Sequence, residues 1–376
     1  MANTENQSAG WDGYRSFVIE AKEPESATVT SFFLVPKDGK PLPSYKPGQF
    51  LGFKLDVSGL EKPVRRTYTI SDSPNEGTHY RLSIKREPSP QDHPEMPPGV
   101  TSNHFHDHLN VGSELQVRAP SGDFFLQEDG SGPLVLLSGG VGLTPMISML
   151  NHLVETGSKR PVWFIHGVRN GAEHAFGRHV RGLARSHGNV NAHIVYMEPG
   201  PDDKKGRDYD GSGFITMELL QGLLPGPEGE FYLCGPPPFM KVLFNGLLGW
   251  GVAEERIFYE FFGPATVLKD ESKDQTEPSA PSRPGAGTAT SELDVTFQRS
   301  GVTVKWDPAH ESILELAEAN GLDPDFSCRS GICHTCMCRL VEGEVEYIDD
   351  DVLMPDEEDQ VLICSSRPKT NVTVDI

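Results

Sequence analysis

Residues 328–338 read CRSGICHTCMC, so four of the chain's six cysteines fall within eleven residues. Cys328, Cys333 and Cys336 follow the spacing C-x4-C-x2-C, and Cys364 stands alone further on. Thiolates are soft ligands, and three from one loop joined by a distant fourth suit a metal centre. Six cysteines so unevenly spread over 376 residues do not describe a disulfide framework. That usage points to a reducing compartment, the cytoplasm. A structural zinc is one occupant of such a set, although zinc sites usually bring paired short spacings. Gly331 lets the loop wrap closely around whatever is bound. Cys338 follows Cys336 by two residues, at the start of the strand CMCRLVEG, and is expected to be a buried non-ligand.

Outward from this loop, composition sets the boundaries. Residues 271–292, ESKDQTEPSAPSRPGAGTATSE, hold too little apolar surface to offset the entropy of ordering them. They are expected to form a flexible linker whose ends average roughly 25 Å apart. Residues 293–376 then make a separate small domain. Its cysteine pattern resembles the plant-type ferredoxins, in which C-x4-C-x2-C and a distant cysteine hold a [2Fe–2S] cluster. The resemblance implies an α+β β-grasp fold, with Cys328, Cys333, Cys336 and Cys364 as iron ligands. It also implies a one-electron carrier.

The whole chain carries a net charge of −21, which argues against nucleic acid as a partner. The first residues, MANTENQSAG, lack the basic flank and apolar run of a signal peptide. Glycines and a proline interrupt the longest apolar run, PLVLLSGGVGLTPMISML, so no membrane span is expected.

Ahead of the linker the periodicity changes once. Residues 11–128 contain short β-rich runs, among them TVTSFFLV, QFLGFKLDV, RRTYTI and YRLSIKRE, separated by turn residues. They predict an antiparallel β-barrel or sandwich. Over residues 129–270 strands alternate with helices: PLVLLSG then TPMISMLNHLVETG, PVWFIHG then AEHAFGRHVRGLARS, EFYLCG then PFMKVLFNGLLGWG. This predicts a doubly wound α/β domain with a mostly parallel sheet. The chain is thus multidomain, and no internal repeat is visible.

Three motifs stand in those two domains: RRTYTIS with Arg66, Tyr68 and Thr69; GVTSN at residues 99–103; and GGVGLTPM at residues 139–146, paired with CGPPPFM at 234–240. Singly they read as an amphipathic strand, a helix cap and a glycine-rich turn, and a lone glycine run means little. In this order and spacing they resemble the ferredoxin–NADP reductase superfamily. The likeness is strongest to the reductase module of flavohemoglobins, extending to PGQFLGF, LSIKRE, WFIHGVRNGAEHAF and YEFFGP. With a ferredoxin behind, the order is similar to reductase components of Rieske-type oxygenases.

The resemblance implies FAD held by Phe50, Arg66, Tyr68, Thr69, Lys85, Gly99, Val100, Thr101 and Ser102. Arg66 would pair with the pyrophosphate, Tyr68 pack on the flavin, and Thr69 replace the family's serine beside N5. The residues after Gly99 would offer backbone N–H groups to phosphate. For the nicotinamide nucleotide it implies Gly140, Gly142, Thr144, Pro145, Cys234, Gly235, Pro236, Phe262 and Gly263. Phe262 would cover the flavin until nicotinamide displaces it. Thr69, Cys234 and Glu260 are the catalytic candidates, with no base paired to Cys234 to make it a nucleophile.

The implied activity is NAD(P)H-dependent electron transfer, through FAD and the cluster, to an external protein acceptor. A Rieske oxygenase is the expected acceptor; another metalloprotein, such as hybrid-cluster protein, is the alternative. A redox-sensing interaction protein is an alternative of another class. NADH is favoured over NADPH by the flavohemoglobin likeness alone. No acid closes the second strand of the α/β domain, and Arg169 would meet a 2′-phosphate or face water. His104, His106 and His108 scatter around a helix and are not expected to share a metal. Residues 291–376 hold 6 Lys and Arg against 19 Asp and Glu, which suits docking on a basic partner as well as a merely solvated surface.

Overall fold

The computed structural model describes residues 10–11, 13–57, 63–75, 77–89, 98–128, 130, 132–262, 293–308, 310, 312–322, 324, 326, 331, 336–348, 352, 354–355, 357 and 359–376. Cys328, Cys333, Gly263 and the expected linker at 271–292 lie outside them. The chain divides into two compact units, Met1–Phe262 and Gly263–Ile376.

The first unit begins with six strands: β1 (Arg15–Pro24), β2 (Val29–Pro36), β3 (Phe50–Leu55), β4 (Val64–Thr69), β5 (Tyr80–Lys85) and β6 (Glu114–Val117). They pair antiparallel in the order β4-β3-β6-β1-β2-β5. An Ile70–Leu82 bridge joins the two edges and rolls the sheet into a barrel. Alternation along the strands sends Phe17, Ile19, Leu51, Phe53 and Leu82 inward, each fully buried. Helix α1 (Val100–Asp107) plugs this core with Phe105, whose ring meets Phe32, Phe53 and Tyr68 edge-on.

The rest of the unit is a parallel sheet built from β7 (Leu134–Gly139), β8 (Val162–Val168), β9 (Val190–Tyr196), β10 (Gly211–Ser212), β11 (Glu230–Cys234) and β12 (Ile257–Glu260). Between them run α2 (Leu143–Glu155), α3 (Gly177–Ser186), α4 (Met217–Leu223) and α5 (Pro237–Trp250). Every residue of β7 is buried, as a parallel strand covered on both faces requires. Strand order is β10-β9-β8-β7-β11-β12, so the winding reverses between β7 and β11. Ligands of such sheets lie at the strands' carboxyl ends at that reversal.

One helix starts later than the sequence suggests. The run AEHAFGRHV turns helical only at Gly177, because Asn170 Oδ1 accepts from the N–H groups of Ala172 and Glu173 and Phe176 takes a left-handed φ of 57°.

The second unit carries β13 (Asp294–Phe297), β14 (Val302–Lys305), α5's successor α6 (Ile313–Ala319), β15 (Met337–Glu342), β16 (Val345–Tyr347), β17 (Gln360–Leu362), β18 (Ser366–Pro368) and β19 (Val372–Val374). A mixed sheet runs β14-β13-β19-β15-β17, with β13 and β19, first and last in chain order, side by side and parallel. Ser312 caps α6 through the N–H of Glu315, and Ile313, Leu314, Leu316 and Ala317 drive its apolar face into the core.

Candidate functional site

The two glycine-rich motifs meet where the winding reverses. GGVGLTPM forms the turn from β7 into α2, and CGPPPFM the turn from β11 into α5. Gly142 lies so close to the Cys234 carbonyl that a methyl group there would overlap it. A methyl on Gly235 would come 3.1 Å from the Gly139 nitrogen and 2.7 Å from the Phe239 ring. The glycines therefore let two backbone turns touch, and Gly140 supplies the left-handed bend with a φ of 55°. Thr144 Oγ1 donates to Val141 O at 3.2 Å and closes the turn, with Thr144 and Pro145 both buried.

Strand register sets four polar side chains in one row at the carboxyl edge of the sheet. Glu260 is opposite Cys234, Cys234 opposite Ser138, and Ser138 opposite His166. All four are buried. Burial, and then the Glu260 carboxyl, hold the Cys234 thiol well above its usual range, so it stays protonated. Burial, and then Asp123, push Glu260 up to about 8, and its Oε2 is buried with no hydrogen-bond partner among the described residues. Ser138 Oγ and His166 Nδ1 share a 2.9 Å hydrogen bond, and burial takes His166 down to about 3, leaving the ring neutral. An unsatisfied carboxyl beside two touching glycine turns fits a polar ligand such as a nicotinamide amide.

On the barrel side, Arg66, Tyr68 and Thr69 lie along β4, Arg66 exposed and Thr69 buried. Tyr68 donates to Thr101 Oγ1 of α1 at 3.1 Å, which ties RTYT to GVTSN. Gly99 precedes α1 without a side-chain cap. A methyl there would meet Ser102 Oγ at 2.6 Å and Glu87 Cβ at 2.9 Å, so the bare backbone is what the space admits. An exposed arginine two residues before the tyrosine that bonds to an uncapped helix start fits a flavin pyrophosphate. Val100 is exposed, Thr101 and Ser102 are buried, and Lys85 pairs with Glu87 at 3.0 Å. Phe50 is buried, its ring closing on Gly122. Phe262 is 45% exposed just past β12.

Sequence reasoning missed one neighbour. No acid ends the second strand, but Glu198 follows β9, and its Oε2 takes a 3.1 Å hydrogen bond from Arg169 Nε, just past β8. The parallel pairing of β8 with β9 brings them together, a relation that only register reveals.

In the second unit Cys336 and Cys364 are buried in one core. Gly331 takes a φ of 66°, and a methyl there would come 2.8 Å from both Ser365 Oγ and Val352 Cγ1. Such a tight glycine cradle beside two buried thiols fits a small inorganic cluster. Cys338 of β15 pairs with Val361 of β17 and is half-buried rather than fully buried as expected, packed with Leu340 against the edge of the core. Burial, and then Cys336, push its thiol up to about 12.

Residues 16–126 match the oxidoreductase FAD-binding domain, residues 136–244 the oxidoreductase NAD-binding domain, and residues 295–369 the 2Fe-2S iron-sulfur cluster binding domain. The flavohemoglobin-like FAD/NAD-binding domain of nitric oxide dioxygenase from Vibrio cholerae is 36% identical, with a TM-score of 0.60 over 67% of this chain and 100% of that one. The chain belongs to the ferredoxin–NADP reductase family. It is a family member with a 2Fe-2S domain behind the reductase, and FAD, a nicotinamide nucleotide and a [2Fe–2S] cluster are its cofactors. Another relative is the flavohemoprotein of Halalkalibacterium halodurans, 46% identical over 259 residues. That match takes in 69% of this chain, which spans 62% of the relative's length. Phthalate dioxygenase reductase shares the fold across 97% of this chain and 98% of its own, at 24% identity and a TM-score of 0.56. Among the described residues no helix is long and apolar enough to cross a membrane.

Proposed function

We propose that this chain is an NADH-dependent reductase that delivers single electrons to a separate protein, a Rieske-type oxygenase. Its working parts are taken as a flavin barrel over 11–128, a nicotinamide domain over 129–270, a linker over 271–292 and a cluster domain over 293–376. The observation that carries the reading is the meeting of the Gly142 and Cys234 turns at the sheet's winding reversal, beside the unsatisfied Glu260 carboxyl. When bound, the nicotinamide would supply two electrons and a proton as hydride, and the flavin would divide that pair into the single electrons a cluster accepts.

In this reading Arg66 and the α1 backbone hold the flavin pyrophosphate, Tyr68 packs on the ring system, and Thr69 hydrogen-bonds N5. Glu260, protonated at neutral pH, donates to the nicotinamide amide, and the neutral Cys234 thiol packs against the ring without attacking it. Cys328, Cys333, Cys336 and Cys364 hold the irons. Coenzyme choice follows from Glu198, which occupies Arg169 and sets a carboxylate where a 2′-phosphate would otherwise be welcome.

The test is anaerobic titration of the purified chain with NADH, followed by addition of a candidate oxygenase and its substrate. Bleaching of both flavin and cluster, with substrate turnover only when the oxygenase is present, is the expected result. Reduction of both centres without turnover by any oxygenase would move the assignment to another metalloprotein acceptor.

A further inference from the structure

Helix α2 is apolar nearly all round, except along one stripe. Thr144, Ser148, Asn151 and Glu155 recur at intervals of four, three and four, and so share one face. The first three are buried, and burial of polar groups requires partners. Thr144 bonds within its own turn, and the partners of Ser148, Asn151 Nδ2 and Glu155 lie on the barrel. Ser148 Oγ donates to the main-chain oxygen of Asp72 at 2.6 Å, and Asn151 Nδ2 to Asp72 Oδ1 at 3.4 Å. Glu155 Oε2 accepts from Asn75 Nδ2 at 3.3 Å.

Asp72 is itself held firmly. Tyr45 donates to its main-chain oxygen at 2.7 Å, and the Ser73 N–H to Oδ1 at 2.9 Å. Arg81 Nη2 lies 3.4 Å from Oδ1 and His79 Nε2 3.6 Å from Oδ2. From α3, His179 Nε2 is 2.6 Å from Asn151 Oδ1 and steadies the other end of that amide.

This carboxylate is only 7% exposed and stands three residues after Thr69, while Ser148 stands four residues after Thr144. We propose that Asp72 is a positioning residue for hydride transfer, acting on α2 through its main-chain oxygen at Ser148 and through its carboxylate at Asn151. It fixes the Gly140–Thr144 turn, which faces the nicotinamide, against the strand that presents Tyr68 and Thr69 to the flavin. The inference rests on the nicotinamide-to-flavin reading above. Donor–acceptor distance is what such a weld controls, and small misplacements from a change away from the chemistry slow a reaction out of proportion to their size.

The experiment compares Ser148→Ala, Asp72→Ala and Asp72→Asn in the full chain loaded with its cofactors. Stopped-flow flavin bleaching at saturating NADH, the NADH dissociation constant, flavin content and the deuterium isotope effect across temperature are measured. Hydrogen–deuterium exchange is followed at residues 139–151. In Ser148→Ala and Asp72→Ala the saturating rate falls on the order of tenfold or more. Flavin content and NADH affinity hold, the isotope effect becomes more temperature-dependent, and exchange at 139–147 quickens. Asp72→Asn, which keeps the Oδ1 acceptor, restores most of the rate. A saturating rate and exchange pattern like the parent's in both alanine variants would overturn the proposal. So would Asp72→Asn failing as badly as Asp72→Ala. If Asp72→Ala does not fold, Ser148→Ala decides alone, since it removes one oxygen. If NADH leaves the parent's flavin oxidised, the nicotinamide reading fails, and the exchange comparison still decides whether Asp72 positions the turn.

Discussion

Cys234 and Glu260 stand directly opposite one another in the parallel pairing of β11 with β12, the first fully buried and the second nearly so. Burial raises the cost of ionising both, and repulsion adds to it, from Glu260 on the Cys234 thiol and from Asp123 on the Glu260 carboxyl. Neither therefore carries charge at neutral pH, and the row is set up to donate hydrogen bonds.

Glu260 makes stability fall with pH. Its carboxyl moves from 4.5 up to about 8 on folding, so between those values the folded chain holds a proton that the unfolded chain has lost. The unfolded state then binds fewer protons, and stability declines as pH rises through that window, levelling off above it. Denaturation midpoints measured across it should fall more steeply for the parent than for Glu260→Gln. Parallel curves would show that the carboxyl ionises normally in the fold.

Gly142→Ala should cost about 1–3 kcal/mol, because its methyl would overlap the Cys234 carbonyl, a backbone group that cannot rotate away. The contrast is Gly182→Ala on α3, where a methyl meets nothing within 4 Å and helix propensity should add roughly 0.5–1 kcal/mol of stability. Chemical denaturation of both variants checks the pair. A neutral Gly142→Ala would mean that the two turns do not touch in solution.

Glu198→Gln should raise kcat/KM for NADPH about tenfold, the equivalent of roughly 1.4 kcal/mol, and leave NADH use nearly unchanged. The change removes a carboxylate and weakens its hold on Arg169, whose Nε donates to it at 3.1 Å. Both side chains are substantially exposed, so salt should shrink the effect. Steady-state kinetics with each coenzyme at two salt concentrations decides it. No gain for NADPH would place the 2′-hydroxyl elsewhere.

Much of this was legible from residue patterns. Alternation in TVTSFFLV and the unbroken apolar run of PLVLLSG gave the two sheets, because burial on one face or on both leaves different periodicities. Local motifs such as RTYT, GVTSN and GGVGLTP located the turns that now face each other. What stayed hidden was pairing across long separations. Glu198 meets Arg169 only through strand register, and Asp72 meets Ser148 across 76 positions. The polar stripe Thr144–Ser148–Asn151 was readable as a helix face, but nothing local says that a barrel loop answers it. The late start of α3 was missed because an Asn side chain competing for backbone N–H groups outweighed helix propensity.

Cys364→Ser should separate two activities. Cys364 is buried beside Cys336, and Ser365 Oγ lies 3.8 Å from its sulfur. If the cluster accepts electrons only after the flavin, NADH-to-ferricyanide turnover persists in the variant while cytochrome c reduction collapses. Cys338→Ser should leave both intact and retain two irons per chain, since its strand position is off the ligand set. Loss of the cluster in Cys338→Ser, or equal loss of both activities in Cys364→Ser, would contradict this.

Transfer to the proposed acceptor, a Rieske-type oxygenase, should slow as salt is raised. Residues 291–376 carry 6 basic against 19 acidic residues, a net of −13 out of −21 for the whole chain. Surplus charge of one sign steers diffusional encounter with an oppositely charged partner, and the partner implied is a basic face around the acceptor's metal centre. Steering between exposed charges fades as the Debye length shrinks from about 10 Å at 0.1 M salt to about 3 Å at 1 M. Hydride transfer within the first unit involves buried groups and should respond far less. Stopped-flow reduction of the oxygenase across a salt series, with ferricyanide turnover as the internal control, separates the two. A rate to the oxygenase that is flat or rising with salt, while ferricyanide turnover holds, would mean that apolar contact rather than charge brings the cluster to its acceptor.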